Sequence, residues 1–222
     1  MNYQISIFSI CILLSACANT EIKSNTQTPH EKIQCQVFEL VTDKDTLGTG
    51  FFYLQDGKIY ALTASHVVLG SAKSTLYMRN ACTQEMIAIR SSSKLAGIDL
   101  SILYPEKTFS TIGISANPLD LTFSTQVFGV SYPNLQSVEP RFKNKPIPTN
   151  GYLVDINASD IMFTMNITMR GSSGSPIVTN DGRLVGLLTN RVLTDSYYSG
   201  VSYGISIKSI KNAITNNSNG LR

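Results

Sequence analysis

Short runs of β-forming residues, punctuated by turn residues, most limit what this chain can become. They fall at Cys35–Val41, Gly50–Leu54, Ile59–Thr63, Ser74–Met78, Met86–Arg90 and Leu100–Leu103. After a break around Pro105–Asn117, a second series follows at Gln126–Val130, Tyr152–Ile156, Ile161–Asn166, Ile177–Val178, Leu184–Thr189 and Val201–Ile205. Asp56-Gly57 and Asp181-Gly182 read as hairpin turns, because these residue types tolerate the positive φ that tight turns need. No segment before the C-terminus repeats its apolar residues at a helical period, and no solenoid-type repeat is present. The pattern predicts an all-β chain, and the two series of six point to two small barrels, over about 33–105 and about 118–205. Ser206–Thr215 places Ile207, Ile210 and Ile214 at i, i+3 and i+7, the spacing of a short closing helix. Residues 216–222 read as a polar tail.

With 222 residues, 42% of them hydrophobic and 15% charged, the chain can bury a core and lacks the composition of a disordered one. A net charge of +3 without a Lys/Arg run leaves no footprint for nucleic acid. Residues 1–16 read as a signal peptide, since the apolar run Ile5–Ala16 is too short to span a bilayer. It ends in Leu14-Ser15-Ala16-Cys17, which resembles the lipobox of bacterial lipoproteins, whose cysteine carries the lipid and begins the mature chain. Lipidation at Cys17 is the expectation. Because residues 1–10 contain no Lys or Arg, an ordinary secretory signal and an uncleaved anchor stay as alternatives. All three take the protein out of the cytoplasm. Residues 17–32 are polar and aperiodic, a flexible tether in which His30 is a solvated linker residue. With Cys11 discarded and Cys17 acylated, Cys35 and Cys82 remain for one disulfide in an oxidising compartment, two buried thiols being the alternative.

Chemistry enters with Gly171-Ser172-Ser173-Gly174-Ser175-Pro176, a Gly/Ser knot between apolar runs. By itself such a knot is a flexible turn. It becomes a nucleophile site if the chain also supplies a base and a carboxylate, because a serine hydroxyl is a weak nucleophile until an imidazole takes its proton. Only two histidines occur, His30 and His66, so the base has few candidates. His66 sits within Leu62–Val68, at the end of an apolar strand just before Gly70. Asp99 lies inside Gly97–Leu103, where an unpartnered carboxylate is costly to bury. The order His–Asp–Ser is one of the known arrangements for acyl transfer. On these grounds Ser172, Ser173 and Ser175 remain rivals. The histidines and spare cysteines show no ligand spacing, so neither a metal nor a cofactor is expected.

Gly48-Thr49-Gly50-Phe51, Thr63–Val68, Asp99–Leu103 and Gly171–Pro176 occur in that order. Together they resemble the motif series of chymotrypsin-fold (trypsin-like) serine proteases, nearest the bacterial HtrA-like branch, over roughly residues 33–215. Val127–Pro133 and Val201–Ser206 are similar to that branch as well. The resemblance implies a chymotrypsin-like double barrel, two six-stranded antiparallel β-barrels, and a serine endopeptidase that acts on polypeptides through an acyl-enzyme. It implies His66 as general base, Asp99 as its orienting acid and Ser173 as nucleophile by register with Gly-x-Ser-Gly. The backbone N–H groups of Gly171 and Ser173 would form the oxyanion hole. Ile167 stands six residues before Ser173, where trypsin-like enzymes carry an acid, so specificity for Lys or Arg is not expected. Thr168, Thr189, Asn190 and Arg191 complete the expected pocket, suited to a small or medium apolar residue, with Arg191 leaving an acidic preference open.

Departures from the family pattern carry information too. Ser65 and Ser175 replace the usual Ala and Gly, and Ser172 replaces the Asp with which digestive relatives capture a newly cut N-terminus. Activation of that kind is not expected, nor is a PDZ-like domain after residue 215. The proline-rich stretch Tyr132–Asn150, with Arg141, Lys143 and Lys145, reads as a surface loop of the second barrel. The expected setting is the periplasmic side of a membrane, reached through a lipid on Cys17, or secretion. The alternative is a double-barrel binding module that does not turn over.

Overall fold

The computed structural model describes residues 27–69, 74–107, 110–116, 121–134, 144–157, 159–166, 168–194 and 197–220. The first barrel uses β1 (Val37–Val41), β2 (Thr46–Gln55), β3 (Lys58–Ala64), β4 (Tyr77–Asn80), β5 (Met86–Lys94) and β6 (Leu100–Pro105). They run in the order β1-β4-β5-β6-β3-β2, and pairing of β1 with β2 closes the ring. A short strand β7 (Ile114–Ser115) lies parallel to β2 within the stretch expected to be a plain break. The second barrel uses β8 (Gln126–Ser131), β9 (Ile147–Ile156), β10 (Asp160–Met165), β11 (Pro176–Val178), β12 (Leu184–Thr194) and β13 (Tyr197–Ser206). It closes in the order β10-β13-β12-β11-β8-β9. Two closed six-stranded antiparallel barrels are therefore the architecture, as the two series of runs predicted.

Local chemistry explains the elements. Asp56 (φ 51°) and Gly57 (φ 74°) both take the left-handed conformation between β2 and β3, as a two-residue hairpin turn requires. Strand β9 alternates buried and exposed residues from Ile147 to Leu153, one face to the barrel interior and one to solvent. By contrast β2 is buried almost continuously from Gly48 to Tyr53, because its outer face lies against the second barrel. Val127, Leu153, Ile161, Phe163, Ile177 and Val185 fill the second barrel. Phe128, Val130, Val178, Leu184 and Leu187 face the other way, into one continuous core shared with the first barrel.

The closing helix α3 (Ile207–Gly220) runs into the segment read as a polar tail. Ser206 caps it, accepting the Ser209 N–H at 3.2 Å. Ile210 and Ile214 are fully buried on its inner face, each contributing about 2 kcal/mol by area. The tether reading fails at its end. Thr28 and Glu31 form a capping box, and Pro29 takes the first helical position, at the start of helix α1 (Pro29–Ile33). His30 is not a solvated linker residue: its Nε2 donates to the Thr149 carbonyl at 2.9 Å and its ring meets Phe128 edge-on. The expected loop Tyr132–Asn150 is shorter than predicted, because Ile147–Asn150 already pair with β8; Arg141 and Lys143 lie outside the described residues.

Candidate active site

His66 and Asp99 meet because β3 pairs with β6. Ala64 stands opposite Leu100 at the end of that ladder, so Ser65 and Asp99 face each other just beyond it. The Ser65 N–H donates to the Asp99 carbonyl at 3.2 Å. The chain then turns into the short helix α2 (Ser65–Leu69), which swings the His66 ring back over Asp99. Nδ1 lies 2.6 Å from Oδ2, and the His66 N–H donates to Oδ1 at 3.0 Å. An ionised carboxylate only accepts, so Nδ1 carries the hydrogen, and whenever the ring is neutral its lone pair sits on Nε2. Burial works against ionisation of Asp99. The hydrogen bonds from the His66 ring and backbone, the imidazole charge and the Ser65 N–H outweigh it, holding the carboxyl below its ordinary range.

The serine turn crosses from β10 to β11 and is possible only with glycine at two places. Gly171 has φ +93°, and a Cβ there would lie 2.5 Å from the Tyr132 carbonyl oxygen. Gly174 has φ +89°, and its Cβ would lie 1.9 Å from the Thr49 carbonyl oxygen. The three serines separate by environment. Ser172 and Ser175 are each 1% exposed. The Ser172 hydroxyl bonds Ser131 Oγ and the Met169 N–H, and the Ser175 hydroxyl donates to the Ser172 carbonyl at 2.6 Å. Ser173 is half-buried at the cleft, and its hydroxyl donates to the Thr189 carbonyl at 3.0 Å rather than to His66.

Strand β2 brings the two halves together. The Thr49 N–H donates to the Ser173 carbonyl at 2.9 Å. A Cβ on Gly48 would lie 2.7 Å from Val67 on α2 and 3.1 Å from that same serine carbonyl. Gly48 is thus wedged between the helix that bears His66 and the turn that bears Ser173. A cleft of about 120 Å³ opens beside the serine, lined by Thr168, Met169, Arg170, Ser173, Leu188, Thr189 and Asn190. Not one of these is acidic.

The model of the trypsin-like peptidase domain family matches residues 48–187. The chain belongs to this family. The chain is also 29% identical over 150 residues to non-structural polyproteins 1A and 1AB of Turkey astrovirus 2. That alignment covers 67% of this chain but only 12% and 8% of the two polyproteins. Among solved structures it is similar to the Rv3671c protease of M. tuberculosis. The inactive form superposes with a TM-score of 0.65 at 14% identity, over 85% of this chain and 91% of that one. The active form superposes with a TM-score of 0.67 at 13% identity, over 84% and 82%. At such identities the likeness is one of fold.

Thr168, Thr189 and Asn190 line the cleft, whereas Ile167 and Cys17 lie outside the described residues. Arg191 is on β12, its side chain outside the described part. Cys35 and Cys82 are joined as a disulfide. Sequence reasoning missed Met169, Arg170 and Leu188 as cleft residues, and it noted Thr49 only as part of a motif.

Proposed function

We propose that this peptidase is a serine endopeptidase. Ser173 attacks the scissile carbonyl and His66 Nε2 takes the serine proton. Asp99 holds the ring in its Nδ1–H tautomer and balances the imidazolium charge. As the tetrahedral intermediate collapses, His66 returns the proton to the leaving amine. Water then repeats the sequence on the acyl-serine and frees the enzyme. The N–H groups of Gly171 and Ser173 find no protein acceptor among the described residues and are available to the oxyanion. Each such donor is worth roughly 10²–10³ in kcat. The observation that carries the reading is the hydrogen-bonded His66–Asp99 pair on one wall, clamped through Gly48 and Thr49 to the accessible serine on the other.

One observation favours a second reading, a latent resting state. The Ser173 hydroxyl is turned to the Thr189 carbonyl and must rotate before His66 can take its proton. The acid-free cleft of about 120 Å³ supports a preference for a small or medium apolar residue before the scissile bond. A cleavage profile dominated by Lys or Arg would refute that preference. Within the family we place the chain nearest the HtrA-like branch, on its motif series alone. We further propose export and lipid attachment at Cys17. The Cys35–Cys82 bridge is compatible with an oxidising compartment.

The test is labelling with a fluorophosphonate. Wild type is expected to label and Ser173→Ala to remain unlabelled, while Ser172→Ala and Ser175→Ala keep a reactive serine. Labelling that survives in Ser173→Ala removes that residue as the nucleophile, and a wild type that never labels supports the binding module.

A further inference from the structure

Three consecutive peptide units run through the serine turn, and each is fastened at its carbonyl oxygen. The Arg170 oxygen accepts the Asn134 N–H at 2.6 Å, and the Gly171 oxygen accepts the Thr49 hydroxyl at 2.8 Å. The Ser172 oxygen accepts the Ser175 hydroxyl at 2.6 Å and the Ser175 N–H at 3.2 Å. A peptide unit is planar, so fixing its carbonyl also fixes the direction of its N–H. The outer two units carry the N–H groups of Gly171 and Ser173. The middle unit is held at both ends, since the Ser172 N–H donates to the Met169 carbonyl at 2.9 Å. None of the three can turn without breaking a hydrogen bond.

Two of these fastenings are side-chain hydroxyls. Thr49 is fully buried on the first barrel and 122 residues from Gly171 in sequence. Its hydroxyl works in both directions, donating to the Gly171 carbonyl and accepting the Tyr132 N–H at 2.9 Å. A valine would fill the same space and leave both groups buried without a partner. Ser175 stands where the family usually has glycine, which offers no hydroxyl to the Ser172 carbonyl.

We propose that Thr49 and Ser175 are positioning residues, whose hydroxyls lock the peptide units of residues 171–173 with both N–H groups facing the cleft before substrate arrives. For its function this rests on the endopeptidase reading; for its geometry it does not. Donors already aimed at the developing charge need no reorganisation during the reaction, the condition under which an oxyanion site is effective.

The test compares wild type, Thr49→Val, Thr49→Ser and Ser175→Ala by two readouts: steady-state hydrolysis of a peptide ester, and the ¹⁵N–¹H resonance positions of Gly171 and Ser173. In Thr49→Val we expect kcat to fall about 10- to 100-fold with little change in KM, short of the roughly 10²–10³ for deleting a donor outright. Both amide resonances should move. Thr49→Ser should restore kcat and resonances together, which a loss of packing alone would not do. Thr46→Val, which removes another buried β2 hydroxyl, one bonded to Glu39 at 2.5 Å, is the folding control, with a comparable fall in Tm and unchanged kcat. Should Thr49→Val fail to fold, Ser175→Ala decides by the same two readouts. Unmoved resonances with unchanged kcat in the folded variants overturn the proposal. An inert wild type sinks the endopeptidase reading instead, and the amide positions still decide whether the hydroxyls lock the turn.

Discussion

Replacing Gly174 with alanine tests whether the barrels meet without slack beneath the serine turn. At φ +89° an L-residue is disfavoured by about 1–2 kcal/mol. The new Cβ would sit 1.9 Å from the Thr49 carbonyl oxygen and 2.5 Å from Thr63 Oγ1, so backbone on one side must retreat by about 1 Å. That retreat strains the Thr63 hydroxyl bond to the Thr49 carbonyl (2.7 Å) and the Thr49 N–H bond to the Ser173 carbonyl (2.9 Å), at about 1 kcal/mol each. Forced backbone movement in a packed core adds about 1–3 kcal/mol. The expected loss is about 4–7 kcal/mol, against a total stability of about 5–15 kcal/mol for an ordinary domain. Urea unfolding followed by circular dichroism measures it. With a slope of about 2–3 kcal/mol/M the midpoint should fall by about 2 M. Fluorophosphonate labelling of the folded fraction should drop as well, because the turn is displaced. An alanine variant that unfolds within about 0.5 M of wild type and labels at the same rate would show that the juncture yields freely, and the reasoning would be wrong.

Asp99→Asn retains the shape of the acid but presents an N–H donor to one of the two His66 contacts, which favours the wrong ring tautomer; kcat should fall about 10⁴-fold with the fold intact, and undiminished turnover would remove Asp99 from the mechanism. The same carboxyl ionises below its ordinary range when folded, so its share of stability is complete above the unfolded pKa of about 4 and is lost as pH falls through the lower folded value. Asp99→Asn should therefore flatten the acid limb of a stability-against-pH curve, and parallel curves for the two proteins would contradict this. Cys35 and Cys82 close a loop across 47 positions, and replacing both with alanine should cost about 4 kcal/mol by chain entropy; a loss under about 1 kcal/mol in urea unfolding would show that the bridge barely constrains the unfolded chain.

The double barrel is legible in the sequence because period-two patterning and Asp-Gly turns are local signals that tertiary context has no reason to override. Its exceptions have physical causes. Strand β7 is two residues long and exists only through its parallel pairing with β2. The start of β9 hides behind Pro148, which suggests a loop although the strand continues through it opposite Val130. Helix α1 did carry a local signal, Thr28 and Pro29 followed by Glu31, but polarity and shortness mask it. What holds α1 down is a contact with Thr149, 119 residues from His30, which no local pattern reports. At the site, Asp99 is conspicuous as an acid in an apolar run and His66 as one of two histidines. Thr49 is not, since a threonine on a buried strand already satisfies β-propensity. Only the docking of one barrel on the other shows which carbonyl its hydroxyl meets. Arg170 and Leu188 share a cleft because the serine turn lies beside strand β12, which spacing along the chain does not encode.

The way the two barrels divide the site bears on how each molecule comes into being. His66 and Asp99 lie 33 positions apart within one barrel, whereas the Thr49 bond that seats the serine turn spans 122. Long loops close late, and a chain made from its N-terminus folds its first unit first. The base and its acid need only strands of the first barrel to meet, but they have no nucleophile to serve until the second barrel closes and docks. Cutting power, on the function proposed here, arrives as the last event of maturation. Half-made copies at one site of synthesis then have no means of destroying each other.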